Sequence, residues 1–316
     1  MTEQSHSDDL DFDNETKSPR ETARARFEAG HVAEDRHFVK ALARGLIILE
    51  TFANSGKVWM QVSEIAEAVD LPKPTVARFV RSLESLGHLH YSSNRREYRL
   101  DAPVLTLGFA ARQPFTLGEI LRPHLQKLAD TYNVHASLAK RDRLDALEVV
   151  VCHSKSTLMT LKLDVGSRLP LAGTATGTAL LAHLPEKERD VIYHRLRERH
   201  GRNWERLLQR INDGFNEIED RGFVTAYRSW ATDINGVSVP IRSLNGAPTY
   251  ALACGAPAAL LPPEKQHLLG YKLLEIKRGI ERLIQHNDQS MKDPDHDRSQ
   301  SAVRDPRPGD RPPDLE

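Results

Sequence analysis

Arg78 and Arg81 stand three residues apart in "KPTVARFVRSLES", a spacing that puts two guanidinium groups on one side of a helix. Lys73, Thr75 and Ser82 fall on that side too, so the stripe carries two planar forks, one ammonium and two hydroxyls. A guanidinium pairs bidentately with the O6 and N7 of guanine, while ammonium and hydroxyl groups suit phosphates. Arg78 is the best placed for a base contact. Further on, Arg95 and Arg96 occupy "SNRR" between two short runs, where they would meet a nucleic-acid backbone or minor groove. A charged helix face is also what plain solvation produces, so the neighbouring elements must decide.

Those elements are readable. The opposite side of the same helix carries Val76, Phe79, Val80, Leu83 and Leu86, and Gly87 follows as its stop. Ahead of it, "LPKP" interrupts, because a residue before proline avoids helical angles while proline fits a first helical turn. Before that lies "SEIAEAVD", with Ser63 as the expected cap and Ile65, Ala66 and Val69 inward. An earlier helix is expected in "HFVKALARGLIILETFA", its face formed by Phe38, Leu42, Leu46, Leu49 and Phe52. "HLHYS" and "EYRL" read as strands around the basic tip. Together these predict a winged helix-turn-helix, a fold that lays its last helix in a DNA major groove.

The charge count agrees locally. The chain has 316 residues with 44 basic and 44 acidic, which excludes a generally cationic coat, yet residues 36 to 100 hold ten Lys and Arg against six Asp and Glu. Cys152 and Cys254 sit in apolar runs, the pattern of buried free thiols, not of a disulfide or zinc framework. The amino end is polar and acidic, unlike a signal peptide, and no run approaches a membrane span, so a soluble cytoplasmic protein is expected. Residues 1–35 and 288–316 are poor in large apolar side chains and are expected to be disordered tails.

A second region begins near "FAARQPF". It reads as a helix with Ile120, Leu121, Leu125 and Leu128 inward, strands "VHASLAK", "LEVVVCH" and "LMTLKL", a small-residue loop "LPLAGTATGTALL" opening a helix near Ala175 or Thr176, and helices at 186–200 and 203–221. Strands "GFVTAY", "NGVSVPIRS" and "APTYALACG" follow, with a turn at "LNGA", and a helix from Pro263 to about Gln285 closes the region. Antiparallel strands with covering helices argue for an α+β domain. The loop suits an anion, since small side chains and helix-terminal N–H groups let a carboxylate approach, and Thr174 and Thr176 add hydroxyls. The same small residues would equally serve tight helix packing. Asp233 could accept a hydrogen bond from a ligand hydroxyl or simply shape a turn.

The stretches "ALARGLIILETFA", "VSEIAEAVDLPKPTVARFVRSLESLGHL", "LPLAGTATGTALLAHL" and "INGVSVPIRSLNGAPTYALACGAP" together resemble the IclR family of bacterial transcriptional regulators, over roughly residues 36 to 286. The resemblance implies a winged helix-turn-helix at 36–101, a linker helix at 102–115, and a GAF-like effector-binding and oligomerisation domain with an antiparallel sheet at 116–287. It also implies homodimers, paired into tetramers in some members, on a pseudo-palindromic operator of double-stranded DNA. On the family's pattern, Gly166, Pro170, Leu171, Thr174, Ala175 and Gly177 border the effector pocket, with Ser238, Pro240 and Cys254 on two late strands facing it. The implied effector is an organic or aromatic acid or related metabolite. Two departures stand out: Thr178 where the family often has Lys, and Pro74 where it commonly has Ser.

Other classes are weaker. Gly-x-Ser-x-Gly, Walker, His-Glu-x-x-His and dinucleotide patterns are all missing from the sequence, which speaks against an enzyme or a bound cofactor. His135 and His153 lie near strand ends without a third ligand at useful spacing, so no metal is expected. A DNA-binding architectural protein needing no ligand is the other alternative.

Overall fold

The computed structural model describes residues 37–112, 116–156, 161, 163–241 and 250–292. Helices α1 (Lys40–Ser55), α2 (Val62–Val69) and α3 (Lys73–Ser85) precede a hairpin of β1 (Leu89–Ser92) and β2 (Glu97–Leu100). This is the expected winged helix-turn-helix. Ile48, Phe52, Ile65, Val76, Val80 and Leu89 close its core, each fully buried aliphatic side chain contributing roughly 1.5–3 kcal/mol relative to exposure. Met60 adds a bridge to Tyr98, which ties the loop before α2 to the wing.

Three local expectations change. The α2 cap is Gln61, not Ser63: the Gln61 N–H donates to the Glu64 carboxylate at 2.7 Å, and Lys57 Nζ donates to the same group at 2.6 Å. On α1 the buried apolar residues are Ile48 and Phe52, while Leu42 is 64 % and Leu46 52 % exposed. Residues two apart lie on nearly opposite sides of a helix, so Leu46 and Ile48 cannot share a face, and α1 is apolar on both. Leu86, expected inward, caps α3 and is 68 % exposed. Gly87 follows in the left-handed conformation, φ 77°, that ends the helix.

After α4 (Ala102–Arg112) and α5 (Thr116–Tyr132) comes a six-stranded sheet in the order β5-β4-β3-β8-β7-β6. Its strands are β3 (His135–Asp142), β4 (Asp145–Cys152), β5 (Arg168–Pro170), β6 (Val224–Tyr227), β7 (Ile234–Ile241) and β8 (Tyr250–Pro257), and every neighbouring pair is antiparallel. One face packs on α5 and α9 (Pro263–Lys292) through Leu121, Leu125, Leu138, Val237, Leu252 and Leu273. The other packs on α6 (Ala175–Ala182), α7 (Glu186–His200) and α8 (Trp204–Arg221) through Leu171, Leu180, Leu196, Trp204 and Ile211. The α+β antiparallel architecture is thus as expected.

Differences are few. β5 forms within the segment read as loop, pairing its Pro170 with Asp145 at the sheet edge. The strand expected at "LMTLKL" falls largely outside the described residues, and Leu161 and Leu163 themselves are not in a strand. The "LNGA" turn also lies outside them, as do the sequence's two ends up to residue 36 and beyond 292. α9 runs to Lys292, past the boundary expected at 287. Among the described residues no helix is long and apolar enough to cross a membrane.

Candidate functional site

On α3, Lys73, Arg78, Arg81 and Ser82 are exposed and Thr75 is half-buried, while Val76 and Val80 behind them are fully covered. The helix starts where it does because Pro72 is its N-cap and Pro74 occupies the first turn, needing no N–H there. No acidic side chain among the described residues lies within ion-pair distance of Arg78 or Arg81, which leaves both forks available to a partner. Ser82 is less free, since its hydroxyl donates to the Arg78 carbonyl at 3.1 Å.

At the wing, Arg95 and Arg96 are exposed, and Arg96 holds the turn with φ 56°. The Arg95 guanidinium lies 5.5 Å from the Trp59 ring centre and that of Arg99 lies 5.3 Å from it. A cation held over an indole face is oriented without being neutralised. Trp59 and Arg99 therefore belong to this basic face, and the sequence reading passed over both. A tryptophan in the loop leading to α2 was the available signal.

The second site is a cavity of about 50 Å³ between the sheet and the start of α6. Thr174, Ala175, Thr176 and Cys254 border it, as do His135, Ser137, Glu148, Trp230, Asn235 and Leu161. Thr174 is the N-cap of α6: its hydroxyl accepts from the Gly177 N–H at 2.9 Å and donates to the Pro170 carbonyl at 2.7 Å. The first-turn N–H groups of Ala175 and Thr176 have no acceptor within the helix, and both residues front the cavity. Partial positive charge thus collects at one wall.

Seven of the expected pocket residues lie outside that lining: Gly166, Pro170, Leu171, Gly177, Asp233, Ser238 and Pro240. Leu171 is buried in the core against α7 and α8. Gly177 is a packing glycine, since a Cβ there would sit 2.1 Å from the Leu171 carbonyl oxygen. Asp233 is exposed, and its carbonyl accepts the Ala258 N–H at 2.7 Å, the work of a turn residue. Ser238 is buried and donates to the Leu252 carbonyl at 2.9 Å. Cys254 touches the cavity but also belongs to the core on the α5 and α9 side, where burial pushes its thiol up to about 12. Thr178 stands against α8, its methyl 2.7 Å from where a Cβ on Gly214 would be, so the position that departs from the family's Lys is a helix-packing position.

His135, Ser137 and Glu148 were not anticipated as a group. His135 Nε2 is 3.9 Å from Glu148 Oε1, and the His135 and His153 rings are 5.3 Å apart. Among the described residues no set of three His, Cys, Asp or Glu side chains is placed to hold a metal ion.

The profile described as "Bacterial transcriptional regulator IclR C-terminal" matches residues 110–282, and "IclR helix-turn-helix domain" matches residues 41–93. The HTH-type transcriptional regulator TsaQ1/TsaQ2 of Comamonas testosteroni is 31% identical over 225 residues, 71% of this chain and 80% of that protein. Among solved structures, an IclR family transcriptional regulator from Brucella abortus superposes with a TM-score of 0.72 at 35% identity, over 82% of this chain and 97% of the other. An IclR homologue from Microbacterium hydrocarbonoxydans, solved with 4-hydroxybenzoate, has the same fold at 24% identity, with a TM-score of 0.64 over 78% of this chain and 99% of the other. The fold, the two matched regions and a relative alike along most of its length converge: the chain belongs to the IclR family of bacterial transcriptional regulators, which bind DNA through the winged domain and a small effector through the C-terminal one.

Proposed function

We propose that α3 lies in the DNA major groove with Arg78 on a guanine edge, Lys73, Thr75, Arg81 and Ser82 on neighbouring bases and phosphates, and Arg95 and Arg96 on the backbone or minor groove beside it. The DNA-reading unit spans residues 36–101, the connector 102–115 and the effector unit 116–287. Two copies pair through the exposed apolar sides of α1 and α4, where Leu42, Leu46, Leu105 and Phe109 otherwise face water, and so read a pseudo-palindromic operator in the cytoplasm.

The effector is a small organic acid. The observation that carries this is the α6 N-terminus at the wall of the cavity, with Thr174, Ala175 and Thr176 around it. About 50 Å³ suits a short acid, whereas an apolar cavity that binds benzene measures about 150 Å³, so an aromatic acid would have to widen the site. The role is sensing, as in the regulators that the chain resembles, and neither thiol is an activated nucleophile, since both are buried and burial raises the pKa of both.

Titrating acetate, glycolate, benzoate and 4-hydroxybenzoate into the protein by calorimetry, then into its complex with a retained genomic fragment, tests this reading. The expected result is heat without product and at least a fivefold change in DNA affinity for one acid. Product formation would make the chain an enzyme. Silence to all four would favour a ligand-independent DNA-binding protein.

A further inference from the structure

β3 and β4 run in register from Ala136↔Cys152 to Leu138↔Val150, then slip by one residue, so that Ala139 pairs with Glu148 and Val149 is extra. Without that bulge Glu148 would follow Val150 and Cys152 into the apolar core against α5 and α9. With it, Glu148 turns to the α6 side, onto the face that carries His135 and Ser137. The fold thus spends an irregularity on aiming a carboxylate into the cavity.

Once there, the group has no hydrogen-bond donor among the described residues, and His135 Nε2 stands 3.9 Å from its Oε1. The Glu148 side chain is 1 % exposed and that of His135 3 %, and Ser137 is fully buried. Both Glu148 oxygens, both His135 ring nitrogens and Ser137 Oγ make no hydrogen bond among the described residues. Buried carboxylates left in this condition are rare, because desolvation is compensated only by a donor or a counter-charge. Two other polar groups in the lining are already committed: Asn235 accepts from the Arg228 N–H and donates to the Leu261 carbonyl, and Thr174 caps α6.

We infer that Glu148 is a specificity-determining residue of the effector site, accepting a hydrogen bond from a hydroxyl or amino group carried by the acid, with His135 and Ser137 completing that donor-reading end. The inference rests on the acid-binding reading above, in which the α6 N-terminus takes the carboxylate. The cavity then has two chemically opposite ends, one for an anion and one for a donor, and the ligand class is a hydroxy or amino acid rather than a simple carboxylic acid.

The test uses full-length protein and two matched pairs, glycolate against acetate and 4-hydroxybenzoate against benzoate, with Glu148→Gln and Glu148→Leu as variants. Wild type is expected to bind the hydroxylated member of a pair at least tenfold more tightly. In both variants that preference should fall to about twofold or less while affinity for the plain acid is retained. Without ligand, the variants should melt at or above the wild-type temperature, since two buried carboxyl oxygens without a hydrogen-bond donor have gone. Equal binding of both members by wild type, a preference that survives in Glu148→Leu, or ligand-free variants that melt lower would overturn the inference while leaving the acid-binding reading in place. A wild type that binds none of the four acids would overturn that reading and the inference with it.

Discussion

At the scale of single residues, the side chains at the two sites differ in how openly the sequence announces them. That Arg78 and Arg81 share the exposed side of α3 was legible from spacing, because helical periodicity fixes which side chains share a side and Val76 and Val80 fix which side is buried. Glu148 could not, since its direction depends on a one-residue slip between strands that no alternation pattern displays. Gly177 was readable as a small residue near a pocket, but its reason is contact with the Leu171 backbone. Gly177→Ala is accordingly expected to destabilise the C-terminal domain by about 3 kcal/mol. That amounts to roughly 6–12 °C in the melting temperature of a domain this size, measured by calorimetry. An unchanged melting temperature would mean that the α6 turn and β5 can separate freely.

At the scale of elements, most helices and strands lie where periodicity put them, and the exceptions share a cause. α1 is apolar on both sides, so no pattern along it tells the side that packs on α2 and α3 from the side left outward. If the outward side joins two copies, Leu46→Lys and Phe109→Lys should each shift the protein from dimer towards monomer in sedimentation at micromolar concentration. Wild-type-like dimers would contradict that use of the stripe. The α2 cap was missed because Gln61 is a less favoured capping residue than Ser63. Its consequence is a pH dependence. The Gln61 N–H foremost, and then Lys57, hold the Glu64 carboxyl below its ordinary value of 4.5. A depressed folded-state pKa means that the added stability is complete above that ordinary value and is lost as pH falls through the lower folded one. The melting temperature of wild type should therefore exceed that of Glu64→Gln near neutral pH, and the gap should close below about pH 4. A gap that stays constant down to pH 2 would exclude the cap.

At the scale of the whole molecule, neutrality conceals an arrangement. Equal numbers of acids and bases over the chain coexist with a winged unit whose exposed α3 stripe and wing are cationic, while the C-terminal unit buries Glu148 beside its cavity. DNA affinity should then fall steeply with salt despite zero net charge, because the number of counterions released from the phosphates is set by local contacts and not by the total. An effector can alter that affinity only by preferring one arrangement of the DNA-binding unit over another. The account turns on α3 as the reading element. The most direct measurement is the affinity of wild type, Arg78→Ala and Arg81→Ala for one retained genomic duplex and for variants of it changed base by base, across a range of salt. Arg78→Ala should lose about 1–3 kcal/mol and its preference at one guanine in each half-site. Arg81→Ala should weaken all sequences alike and flatten the salt dependence. If both variants kept the wild-type affinity, base preference and salt dependence, α3 would not be the element that reads DNA.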